Sequence, residues 1–152
     1  MKDFILKRIA AVILPFICIY GVYVILHGHI SAGGSFAGGI IVGLSFIAFS
    51  TIYGIEEGRA KLPEKVLVWT ESYGTLWYGI MGMVGIFRGA PFLANKLAGV
   101  DLGVPGTLFS GGLISLIGLG VGIRVASTMV TLFFTIMDED CWREKRMMEE
   151  SK

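Results

Sequence analysis

The sequence predicts an all-α integral membrane protein with four transmembrane helices and both termini in the cytoplasm. Three observations carry this. Of the 152 residues, 54% are hydrophobic and only 16% are charged, with a mean hydropathy of +0.72. A soluble domain is about 25% charged, so lipid is the better solvent for this chain. Four apolar runs approach the roughly 20 residues that a bilayer core requires. Lysine and arginine are spread unevenly over the segments that join those runs, and this asymmetry is what orients a membrane protein.

The first run covers residues 9–26. The residues before it resemble a secretory leader. The run is long and lacks a convincing cleavage site, so it reads as a retained helix, with a kink expected at Pro15. The second run covers 36–55 and carries Gly39 and Gly43, a spacing that lets two helices approach closely. The third, 66–87, is interrupted only by Glu71. The fourth, 110–137, lies in an apolar stretch that begins at Thr107 and is interrupted only by Arg124. About 30 residues at ~1.5 Å each would extend ~45 Å, so this helix must tilt or begin outside the bilayer. The four runs form one domain over residues 1–140, and a short charged tail, 141–152, is expected to be irregular and cytoplasmic.

Placing both termini inside puts ten of the 13 Lys and Arg residues in the cytoplasm and two, Arg88 and Lys96, outside. Arg124 remains in the membrane. The bias also argues against a carrier that inserts in both orientations. The stretch HGHISAGGSFAGG, residues 27–39, then lies on the outer side and joins the first two helices. So short a link makes them antiparallel neighbours. Its backbone must find partners near the bilayer, and Gly33 and Gly34 can supply the positive φ angles of a tight turn.

The third helix has two faces. Glu71, Gly74, Thr75, Tyr78, Gly82, Gly85 and Gly89 fall on one; Trp69, Leu76, Ile80, Met83 and Phe87 fall on the other. The bulky face suits lipid and the small, polar face suits protein. On the fourth helix Arg124, Ser127, Thr128, Thr131, Thr135 and Asp138 form a polar stripe that should face a helix or a hydrated path.

Several residues are candidates for function, each beside a plainer reading. Glu71 is either a proton or cation site, as ionisable groups in membrane segments often are, or a carboxylate reaching for the interface or for a basic partner. Arg124 is either an element that sets the field in an ion path or half of a structural ion pair. A pairing of the two does not follow from the sequence, because their depths look different. Thr128 and Thr131 extend the polar stripe toward the cytoplasm. His27 and His29 are two residues apart and share no helical face, so anchoring of the turn is favoured over metal binding or proton exchange.

No metal site or cofactor is expected. Cys18 and Cys141 do not form a ligand pair, and no nucleophile with a base, phosphate loop or redox motif is visible. The net charge of +1, without a basic stripe, gives no nucleic-acid footprint.

HGHISAGGSFAGG resembles a motif of the MnhB (MrpB-like) component of the multisubunit Mrp-type sodium/proton antiporters, where the pattern runs approximately HGHxxPGGGFxGG. Ala32 replaces its proline and Ser35 one glycine. Glu71, then FLAN at 92–95, GVPGTLFSGG at 103–112 and a glycine-rich last helix follow in the family's order, so the resemblance covers roughly residues 10–140. It implies a non-catalytic four-helix subunit of the cell membrane, held among other antiporter-type subunits in a complex that exchanges Na⁺ for H⁺. It also implies that His27, His29, Gly33, Gly34, Phe36, Gly38 and Gly39 act as a helix-turn motif. Small subunits of energy-converting membrane hydrogenases and related respiratory complexes look similar, so that setting remains an alternative. A self-standing small transporter is a second.

Overall fold

The structure is a computed structural model that describes residues 2–30, 33–96, 99 and 111–150, with side chains described within 4–138. Ala32, most of GVPGTLFSGG and the side chain of Cys141 lie outside the described residues. The elements in order are α1 (Lys2–Leu26), α2 (Gly34–Tyr53), α3 (Ile55–Lys61), α4 (Glu64–Phe87) and α5 (Leu113–Glu150). Among the described residues, three helical segments are long and apolar enough to cross a membrane: Phe4–Leu26, Gly34–Tyr53 and Leu113–Asp138. Most of their large side chains, such as Phe16, Ile19, Leu44 and Ile136, lie on the surface. A bilayer can solvate such a surface; water cannot.

The third expected span is the 24-residue α4, which is less apolar than these three segments and is not among them. Two further expectations change. The second run ends at Tyr53 because Gly54, at φ 117°, turns the chain. The short helix α3 follows, foreseen only as loop, and folds back so that Gly58 packs on Ser50 of α2. Pro63 then separates α3 from α4. At the other end, α5 runs on to Glu150 through the segment expected to be an irregular tail, where Glu, Arg, Lys and Met are all good helix formers.

The link between α1 and α2 is a tight turn, as the glycines imply. Gly33 and Gly34 have φ of 100° and 61°, values that cost a side-chain-bearing residue roughly 1–2 kcal/mol each. The antiparallel hairpin closes so tightly beside the turn that a Cβ on Gly38 would lie 2.7 Å from the Ile25 nitrogen. The next residue serves a different neighbour. Successive residues on a helix point about 100° apart, so Gly39 faces α5, where a Cβ would lie 2.5 Å from the Gly122 carbonyl oxygen.

The α2–α5 seam keeps one register throughout. Ser35 meets Gly118, Gly39 meets Gly122 and Gly43 meets Ala126, so these helices run parallel along small residues four apart. Against α4 the direction reverses. Ser127 Oγ donates to the Leu67 carbonyl (2.8 Å), Gly74 packs on Arg124 and Gly120, and Trp77 Nε1 donates to the Leu116 carbonyl (2.9 Å). α5 is therefore the central helix. Near the Asp138 end of its span, Leu67, Val130 and Phe134 form a small core with Phe46, Ile47, Ile55, Leu62 and Phe133 around it.

Candidate functional site

The face that α4 turns toward α5 combines small residues with one acid. Gly74, Gly82 and Gly85 are buried and Glu71 is half-buried, while Trp69, Leu76, Ile80, Met83 and Phe87 are exposed, as the two-face pattern implied; Thr75, Tyr78 and Gly89, expected on the protein-facing side, are exposed as well. Because Gly74 lets the α5 backbone come close, Glu71, one turn away, reaches the polar stripe of α5. Thr128 Oγ1 donates to Glu71 Oε1 at 2.9 Å. The same hydroxyl lies 3.0 Å from the Arg124 carbonyl oxygen. A hydroxyl has one proton and two lone pairs, so it can donate to only one of these oxygens at a time.

Glu71 and Arg124 lie closer in depth than the sequence suggested. Both line one half-open pocket of about 390 Å³, with Phe36, Tyr78 and Thr128 also in its wall. The antiparallel register of α4 and α5 brings this about. Among the described residues no ion pair within 4 Å joins Glu71 to Arg124, and the Arg124 side chain is exposed. Thr128 lies ten residues from Asp138 and fifteen from Leu113, the two ends of the apolar part of α5. Glu71 is therefore level with the inner part of that segment rather than with its end.

Thr131, expected on the same stripe, lines a different pocket. Its hydroxyl donates to the Ser127 carbonyl (3.0 Å), and this second pocket of about 250 Å³ is also lined by Arg59, Leu67, Thr135 and Asp138. Arg59 of α3 pairs with Asp138 at 2.6 Å and stacks over the Phe134 ring at 5.2 Å. Its hydrogen bond to Asp138 raises the guanidinium pKa above its usual value, opposed by partial desolvation. The residues were visible in the sequence, but their pairing required α3.

The two histidines of the turn face different ways. His27 Nδ1 donates to the Tyr23 carbonyl (3.0 Å), and its ring lies 4.1 Å from the Tyr23 ring. His29 lies against Gly111, just before α5. Phe36, grouped with the turn from sequence, reaches the wall of the Glu71 pocket. Asn95, within FLAN, has a part that sequence reasoning did not assign. Its Nδ2 donates to the Gly111 carbonyl (2.9 Å) and its Oδ1 accepts from the Leu113 nitrogen (3.3 Å), tying the segment after α4 to the first turn of α5.

A family described as a domain related to the MnhB subunit of Na⁺/H⁺ antiporters matches residues 5–131. The chain belongs to the MnhB family. With its apolar helices of spanning length, it is a multi-pass protein of the plasma membrane. Among its relatives, the uncharacterized protein MJ1307 of Methanocaldococcus jannaschii is 29% identical over 135 residues, which cover 87% of this chain and 51% of that protein. This MnhB-family chain thus spans about half the length of MJ1307. Proteins of Staphylococcus aureus strains Newman and USA300, provisionally named antiporter subunit mnhB2, are 27% identical over 135 residues, covering 89% of this chain and 94% of theirs.

Proposed function

We propose that the chain is a small membrane subunit of a multisubunit Na⁺/H⁺ antiporter, and that Glu71, Thr128 and Arg124 form part of its ion path. The observation that carries the second half is the Glu71–Thr128 hydrogen bond inside a half-open pocket beside Arg124. Thr128 suits a carboxyl that changes protonation. Facing a carboxylate, its hydroxyl donates to Glu71; facing a carboxylic acid, it accepts from Glu71 and donates to the Arg124 carbonyl. Neither state leaves the hydroxyl proton without an acceptor. Arg124 adds a positive charge to the wall of the same pocket. Thr131 and the second pocket continue the polar stripe toward Asp138.

The same reading makes α4 the third of four spans, with both termini cytoplasmic. At ~1.5 Å per residue α4 is ~36 Å long, enough for a bilayer core. Its contacts from Leu67 to Trp77 run beside the apolar part of α5, from Ser127 to Leu116. The Lys and Arg distribution supports the orientation. The other antiporter-type subunits would cover part of the exposed apolar surface, and the end of α5 would project into the cytoplasm.

The test is Na⁺-driven proton exchange in everted membrane vesicles, with assembly followed by affinity purification through a C-terminal tag. Glu71→Gln is expected to keep assembly and lower exchange at least about tenfold, the scale of one lost charge-dependent step. Glu71→Asp should recover part of it. Full exchange with glutamine would overturn the ion-path reading. Retention of nickel-iron or iron–sulfur proteins on the same tag would move the subunit to a redox-driven complex.

A further inference from the structure

The α1–α2 hairpin packs backbone against backbone at its turn end and is spaced by larger side chains at the other. Near the turn, Gly21 packs on Val42 and Gly38 on Ile25. Toward Tyr53 the small residues give way to Phe46 and Phe49, and a cleft of about 490 Å³ opens between the helices. Ala10, Leu14 and Cys18 line its α1 side, at the four-residue spacing of one helical stripe. Ser45, Phe46, Phe49 and Tyr53 line its α2 side. From Tyr53 to Ser45 it runs ~12 Å into the membrane.

The mouth of the cleft is basic and aromatic. The Phe49 and Tyr53 rings stack at 4.6 Å. Lys61 of α3 places its ammonium 4.3 Å from the Phe49 ring centroid, and Lys7 of α1 places its own 5.6 Å from the Tyr53 centroid. The Tyr53 hydroxyl donates to the Lys7 carbonyl (2.7 Å), which holds the two helices together at this point. Glu57 is the one acid in the cleft wall, and no ion pair within 4 Å ties it to Lys61 among the described residues. Phe4 and Tyr53, at the ends of two apolar segments, place the mouth at a membrane surface.

We infer that this cleft holds an anionic phospholipid, with one acyl chain between α1 and α2 and its phosphate at Lys7 and Lys61. The charge pattern fits an anionic headgroup, since basic pockets between membrane helices recognise such lipids. The depth is apolar and fits no water-soluble anion. The basic mouth argues for an anionic headgroup rather than for a neighbouring apolar helix, and an extended acyl chain is thin enough to lie in a cleft of this size. The inference is independent of the ion-path reading: none of the cleft residues lines the Glu71 pocket.

The full-length protein, with whatever copurifies, is reconstituted into nanodiscs of equal phosphatidylglycerol and phosphatidylcholine. Lipid retained after transfer to mild detergent is measured by mass spectrometry. Phosphatidylglycerol should be enriched at least about fivefold, and Lys7→Gln with Lys61→Gln should bring the ratio near parity. In the unmodified protein, phosphatidylglycerol with a photoactivatable acyl chain should label peptides containing Leu14 and Phe46. Equal retention of the two lipids, an unchanged ratio in the double variant, or labelling that avoids both peptides would each overturn the inference. So would crosslinking of a photoreactive residue at Leu14 to another polypeptide in native membranes.

Discussion

Gly39→Ala tests the packing of α2 on α5 with a single methyl group. The new Cβ would lie 2.5 Å from the Gly122 carbonyl oxygen and 2.9 Å from the Val125 Cβ. Ordinary contact begins at about 3.4 Å, so the first approach is short by ~0.9 Å. The carbonyl is backbone and cannot turn aside as a flexible side chain would. The two helices must move apart, and this loosens the neighbouring Ser35–Gly118 and Gly43–Ala126 contacts. Overpacking of this kind costs about 1–3 kcal/mol, a ~5- to 150-fold change in the folding equilibrium. Gly79→Ala is the matched control, because a Cβ there meets nothing within 4 Å. Added to the interior of α4, that methyl should be neutral or stabilise by up to about 1 kcal/mol. The assay is reversible unfolding of the full chain in bicelles by increasing SDS, followed by circular dichroism. Equal stability of Gly39→Ala and the parent, or equal damage from the two substitutions, would refute the reasoning.

Three further outcomes are expected. Asn95→Ala removes the Gly111 and Leu113 hydrogen bonds and should destabilise by about 1 kcal/mol, the usual worth of a helix-start partner; hydrogen exchange at the Leu113 amide should quicken more than at Val130. A double-mutant cycle of Arg59→Gln and Asp138→Asn should give a coupling of only about 0.2–1 kcal/mol that shrinks with salt, since these side chains are 40% and 57% exposed. A salt-independent coupling would contradict this. Thr128→Val removes the hydroxyl beside Glu71 and should cost about 0.6 kcal/mol of stability, typical of side-chain hydrogen bonds in membranes. It should lower exchange more than Thr131→Val, whose hydroxyl lies in the other pocket.

Local composition and periodicity were enough to locate the long apolar helices, the tight hairpin at Gly33 and Gly34, and the two faces of α4. These features depend on residues close in sequence: a run long enough for a bilayer, glycines where φ must be positive, and side chains repeating every 3.6 residues. The motif residues also marked the family. Tertiary structure decided what those faces meet. Glu71 and Thr128 are 57 positions apart, and their hydrogen bond exists because α4 runs antiparallel to α5 in one particular register. A slip of one residue would turn either side chain by about 100° and break it. The same holds for Gly39 on Gly122, for Arg59 on Asp138 and for Asn95 on Leu113. α3 escaped notice because seven residues carry too little periodicity to declare a helix, and its place depends on Gly58 fitting against Ser50. The apolar pattern specifies which residues avoid water. It does not specify their neighbours, which close backbone approach and inter-helix register select.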